Sequence, residues 1–156
     1  MSIRFKKILF LKLSKIFLTF LIIIVFTISE NLKAENITGS KTYDTGTNNT
    51  QYIFTEDDAS AVVTGNTTLE RSRKLFILND SERSGNTLTI HFGSTVSTTT
   101  NSNTIFTDGA ELTIVNSGTI NSDSSKAINV SNSDGVSITN NNKGVIKSNN
   151  NTILGD

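Results

Sequence analysis

The triplet Leu88-Thr89-Ile90 returns as Leu112-Thr113-Ile114 and again as Val136-Ser137-Ile138, each copy 24 positions after the last. A second phrase, Thr104-Ile105-Phe106-Thr107-Asp108, reappears 48 positions on as Thr152-Ile153-Leu154-Gly155-Asp156. A period in the twenties, made of alternating β-branched residues and polar turns, marks a chain wound into stacked coils. In such a fold, function is carried by the surfaces that the coils build rather than by a required catalytic triplet.

Within each period the apolar residues sit at alternate positions, so they share one face of a strand. Leu88, Ile90 and Phe92 are expected to point inward, with His91 outward and Val96 continuing the inner face. The next coil places Ile105, the turn Asp108-Gly109, then Leu112, Ile114, Asn116, Gly118 and Ile120. The third has Ile128 and Val130, the turn Asp134-Gly135, then Val136, Ile138, Asn140, Gly144 and Ile146, and Ile153 opens a fourth. If one period is one turn, Leu88, Leu112 and Val136 stack about 4.8 Å apart, beside Ile90, Ile114 and Ile138. Asn116 and Asn140 would then form an asparagine ladder, bonded amide to amide along the axis. The glycines of Asp108-Gly109 and Asp134-Gly135 are expected to supply positive φ. Gly118 and Gly144 mark corners, and their separation of 26 fits insertions placed in corner loops.

A 24-residue period with about three strands per turn predicts an all-β chain, a right-handed parallel β-helix (β-solenoid) of about five coils. No six-residue periodicity of a left-handed helix is present, nor the fixed leucines of a leucine-rich repeat; a flat sandwich remains the alternative. Residues 61–156 are assigned to the repeat region. Residues 35–60 are a weakly patterned lead-in or cap.

The first 34 residues differ in kind. Arg4, Lys6, Lys7, Lys12 and Lys15 make a basic opening, and from Ile16 to Ile28 only Thr19 and Thr27 interrupt an apolar run. A helix of that length reaches roughly 20 Å, short of the ~30 Å hydrocarbon core. Basic, apolar, then small at Ala34 is the order of a helical signal peptide, with cleavage expected after Ala34. The alternative, an uncleaved anchor from Ile8 to Ile28, would hold Lys12 and Lys15 in hydrocarbon at considerable cost.

After position 34 the chain has eight bases and thirteen acids, a net of −5. That balance argues against nucleic acid as a partner. Asn, Ser, Thr and Gly supply 65 of those 122 residues, a composition that disordered chains share. The periodicity of the apolar residues favours strands and turns instead. Cysteine is absent, which excludes disulfides, thiol chemistry and thiolate zinc sites. Proline is absent too, as suits a chain whose amides are needed for ladders.

No residues are assigned to catalysis, to a cofactor or to a metal. Glu56-Asp57-Asp58 and Asp80-Ser81-Glu82 lack the spacing of calcium loops and read as solvated turns. His91, the single histidine, has neither a nucleophile elbow nor an oriented carboxylate near it in sequence. Arg71, Arg73 and Lys74 form one basic cluster beside Glu70, which a β-helix polysaccharide lyase could use, but acids two apart on one strand are absent there and the cluster reads as a solvated face.

The run Leu112 to Ile120 (LTIVNSGTI), with Ala127-Ile128, Val136 to Asn140 and Gly144 to Ile146, resembles the passenger repeats of bacterial autotransporters. The resemblance covers residues 86–156 and the leader. It implies a β-helix displayed outside the cell as adhesin or spacer, exported through the signal peptide, located at the cell surface, in the outer membrane or outside the cell, and meeting an environmental or host ligand. Such proteins end in a membrane barrel of their own chain. No barrel follows Asp156 here, which reads as a truncated passenger and, if no barrel is made, a periplasmic product. The alternatives are a carbohydrate enzyme of the pectate-lyase type and a trimeric fibre segment. Open coil ends expose strand edges and should favour self-association.

Overall fold

Alternation along a strand sends one side chain inward and the next outward, and a chain that winds back over itself stacks the inward positions of successive copies in one interior. The computed structural model describes residues 33–44, 50–69, 73–78, 80–133 and 135–155. The expected leader up to residue 32, together with Glu70, Arg71, Asp134 and Asp156, lies outside the described residues.

Four complete windings each contribute three strands. They are β3 (Thr50–Phe54), β4 (Ser60–Val63) and β5 (Asn66–Leu69); β6 (Phe76–Leu78), β7 (Asn86–Ile90) and β8 (Thr95–Thr98); β9 (Ile105–Asp108), β10 (Leu112–Asn116) and β11 (Thr119–Ser122); and β12 (Ile128–Ser131), β13 (Val136–Asn140) and β14 (Val145–Ser148). Two strands precede them, β1 (Lys33–Ile37) and β2 (Ser40–Tyr43), and β15 (Ile153–Leu154) follows. The ladders run β1-β3-β6-β9-β12-β15, β2-β4-β7-β10-β13 and β5-β8-β11-β14, and every pair is parallel. The described residues form a three-sided parallel β-solenoid, with one strand of each complete winding on each side.

Residues of the expected lead-in, in β1, β2 and β3, take part in this pairing. Ala34 pairs with Gln51 inside β1, so a cut after Ala34 would leave Glu35, Asn36 and Ile37 to pair with Tyr52, Ile53 and Phe54. At this end the interior is aromatic. The Tyr43 and Tyr52 rings lie 4.5 Å apart, and Tyr52 stacks on Phe76 at 5.0 Å. Burial, then the nearby Glu35 carboxylate, raises the Tyr43 phenol well above its ordinary value. Lys41 pairs with Glu35 at 3.4 Å.

Further along, the interior becomes aliphatic. Phe76, Ile105 and Ile128 form one buried column. Ala61, Leu88, Ile114 and Ile138 form another, and Thr67, Val96, Ile120 and Ile146 a third. Leu88, Ile90, Ile105, Leu112, Ile114, Ile120 and Ile128 are all buried. Val136, Ile138 and Ile146 are half-buried and Ile153 is 46% exposed, because β13, β14 and β15 are edge strands with a winding on one side only.

Three expectations are corrected. Leu112 does stack on Val136, and Ile114 on Ile138, but Leu88 lies under Ile114 rather than under Leu112, whose partner is Asn86. A shift of two residues keeps every side chain on its own face, so the hydrophobic pattern tolerates it. Phe92 does not extend the inner face. It is 68% exposed, because β7 ends at Ile90 and the chain turns through Gly93 at φ 84°. Finally, Gly109 has the expected positive φ of 73°, but Gly135 does not; in that corner it is Asn132 that takes a left-handed backbone, at φ 49°.

The corrected stacking has a direct consequence. Ile114→Ala should cost about 2–5 kcal/mol in denaturant unfolding, as expected for a methyl-lined void in a packed stack. Phe92→Ala should stay within about 0.5 kcal/mol of the parent. A large loss for Phe92→Ala would return that ring to the interior.

Candidate functional site

Corner length varies from winding to winding, and one variation makes a cleft. Ile90, Asn116 and Asn140 end β7, β10 and β13 in register. Thr95, Thr119 and Val145 open β8, β11 and β14, also in register. The connections between these fixed points are His91–Ser94, Ser117–Gly118 and Asn141–Gly144, so the middle corner is two residues shorter than its neighbours. A notch of about 620 Å³ lies there, lined by Phe92, Ser117, Asn140, Asn141, Asn142 and Lys143.

Two features hold the short corner. A Cβ on Gly118 would collide with the carbonyl oxygens of Ser94 and His91, so only glycine lets this corner settle onto the turn beneath it. Asn116 is buried, and its Oδ1 accepts from the Gly118 amide at 3.2 Å. Its Nδ2 donates to Asn140 Oδ1 at 2.8 Å and to the Val145 carbonyl at 3.3 Å. Asn140 Nδ2 in turn donates to the Gly144 carbonyl at 2.9 Å. The expected asparagine ladder therefore exists, and it ties the corner across two windings. Asn141 Nδ2 adds a bond to Ser117 Oγ at 2.7 Å.

The walls of the notch are exposed and chemically mixed. Lys143 Nζ lies 4.6 Å from the centroid of the Phe92 ring. Among the described residues, no carboxylate lines the cleft. Lys143 has no ion-pair partner among the described residues, and the Asn142 side chain makes no hydrogen bond with any of them. His91, beside Phe92, is exposed, and its backbone amide donates to the Val63 carbonyl.

The remaining candidates fall elsewhere. Arg73 and Lys74 border a smaller cleft of about 320 Å³ with Gln51, Ile77 and Ser102. There Lys74 Nζ sits 3.0 Å from the centroid of Phe106, and burial pulls its ammonium below the usual lysine range, partly offset by Asp108. Gln51 Nε2 is engaged by the Lys74 carbonyl at 2.8 Å. Asp80, Ser81, Asp108, Gly109 and Asn132 line a third cleft. Asp80 is paired with Arg83 at 3.0 Å, and Asp108 accepts from Asn132 Nδ2 at 3.0 Å. Glu56, Asp57 and Asp58 are exposed, with Asp57 Oδ1 capping the Ser84 amide. Among the described residues, no group of three or more His, Cys, Asp or Glu side chains could hold a metal ion.

Sequence reading missed a second polar ladder. Thr98, Ser122 and Ser148 occupy one inward column. Thr98 Oγ1 lies 3.2 Å from Ser122 Oγ and both lie 2.9 Å from the Ser102 carbonyl, so Ser122 donates to that carbonyl while the single Thr98 proton serves either the carbonyl or Ser122 Oγ. The signal was present in the two-residue alternation, since Ser122 follows the inward Ile120 by two positions.

Asn116→Ala would leave the Gly118 amide and the Val145 carbonyl without their side-chain partner. The expected cost is about 1–3 kcal/mol per unpaired buried group, visible as a lower thermal midpoint. Asn142→Ala, on the exposed rim, should leave the midpoint unchanged. In comparisons with known proteins, no family model, no curated protein and no solved structure matches this chain.

Proposed function

We propose that this chain is a non-enzymatic bacterial scaffold, exported by its leader and displayed at the cell surface or released, in the manner of an autotransporter passenger. The observation that carries this reading is the solenoid itself, with corners that stay short around the notch: four, two and four residues. Such corners offer little material to wall a deep catalytic groove. One side of the solenoid adds support. Its outward columns are Ser40, Ser60, Thr87, Thr113 and Ser137, and Thr42, Val62, Thr89, Val115 and Thr139. Ten uncharged side chains at strand spacing make an extended contact surface. The partners of such a scaffold are the export machinery and a ligand met outside the cytoplasm.

A carbohydrate lyase is the second reading, and the cleft bordered by Arg73 and Lys74 is the observation in its favour. Both readings meet one experiment: expression of the full chain in a Gram-negative host, with fractionation, N-terminal sequencing and assay on polygalacturonate. The expected result is a product outside the cytoplasm that begins at Glu35 and shows no turnover. An uncleaved cytoplasmic product would overturn export. Turnover lost in Arg73→Gln or Lys74→Gln would replace the scaffold with an enzyme.

A further inference from the structure

The notch combines three chemistries that a saccharide uses. We propose that it binds an acidic sugar residue, with the Lys143 ammonium pairing the carboxylate, the Phe92 ring packing against the C–H face, and the Asn141 and Asn142 side chains serving the hydroxyls.

The argument starts from Phe92. It is the most exposed of the large apolar residues described, at 68%, on a surface rich in Thr, Ser and Asn. Nothing in the fold needs it there, since the interior columns close without it. An aromatic ring held at the lip of a concave site is apolar surface available to a partner. Sugar hydroxyls both donate and accept, and so do carboxamides. Asn142 has its whole amide uncommitted, and Asn141 has its Oδ1 free once Nδ2 is bonded to Ser117 Oγ. A flat apolar ligand would leave those groups unpaired.

Lys143 supplies the charge selectivity. Its ammonium has the Phe92 ring as neighbour and no carboxylate partner. The chain beyond residue 34 is net negative, so an anionic ligand is not steered to the surface at large, and its affinity must come from this one cation. A charge-assisted hydrogen bond to a carboxylate is stronger than a neutral one. A single cation also separates this site from a nucleic-acid surface, which needs several. The cleft is roomy enough for one or two sugar rings with their outer edges in water, as the 620 Å³ volume allows.

This ligand class deepens the scaffold reading and rests on it only for where the ligand is met. The test therefore uses the purified full chain, titrated by calorimetry with trigalacturonate, its methyl ester and sodium acetate. The ester keeps the ring without the charge; acetate keeps the charge without the ring. Trigalacturonate should bind measurably, and each of Phe92→Ala and Lys143→Gln should weaken it by about tenfold or more. The ester and acetate should each bind at least about tenfold more weakly than the acid. Both variants should keep the parent far-UV circular dichroism, since both side chains are exposed. Absence of binding, or binding indifferent to both substitutions, overturns the proposal. Equal binding of ester and acid overturns the charge selectivity, and equal binding of acetate overturns the saccharide. A chain that binds but stays in the cytoplasm refutes export and leaves the notch standing; an exported chain that ignores trigalacturonate does the reverse.

Discussion

Parallel pairing between successive windings governs everything else in this molecule. Each strand inside a sheet satisfies its amides and carbonyls with the windings before and after it, at a spacing of about 4.8 Å. Once that spacing is set, inward side chains form columns, and most columns are apolar or close their own hydrogen bonds; Thr67, in the column of Val96, is an exception whose buried hydroxyl makes no hydrogen bond among the described residues. The columns through Ile105 and Ile114 take the first course. Asn116 with Asn140, and Thr98 with Ser122, take the second. A buried amide or hydroxyl without a partner would cost more than the bond itself contributes, so these polar columns survive because their members bond one another and nearby backbone carbonyls.

Corners are the one place where the spacing rule leaves freedom. The ends of β7, β10 and β13 are locked in register, and so are the starts of the strands that follow, yet the connection between them can have two residues or four. Gly118 makes the short version sterically feasible, and Asn116 fills its hydrogen bonds. The notch is thus a by-product of a length difference on a rigid frame. Its walls, Phe92 and Lys143, belong to turns two windings apart and would not meet in any less regular fold.

The two cation–ring contacts show how position decides meaning. Phe106 lies on an outward sheet column with Ile53 and Ile77, is 9% exposed, and has Lys74 laid close over it. That contact covers apolar surface with the lysine stem, as long basic side chains commonly do. Phe92 sits on a turn tip and remains open to solvent with Lys143 farther away. The same pair of residue types serves cover in one place and access in the other.

The repeat of Leu-Thr-Ile and its relatives pointed to the solenoid, the three strands per winding and the inner face through its 24-residue period, while alternation by itself left a flat sandwich open. It also gave the Asn116–Asn140 ladder, since both residues end strands that are 24 positions apart. Register between Leu88 and its neighbour was not legible. Sliding a strand by two residues preserves every inside and outside assignment, and only the lengths of the corners, folded against one another, decide which rung is which. Phe92 was misplaced for the same reason: alternation says where a side chain would point if the strand continued, and the turn that ends the strand is settled by pairing with the winding beside it. Sequence therefore determined which faces exist, and tertiary structure decided their register and the notch, because pattern is local while stacking is set by contacts more than twenty residues apart.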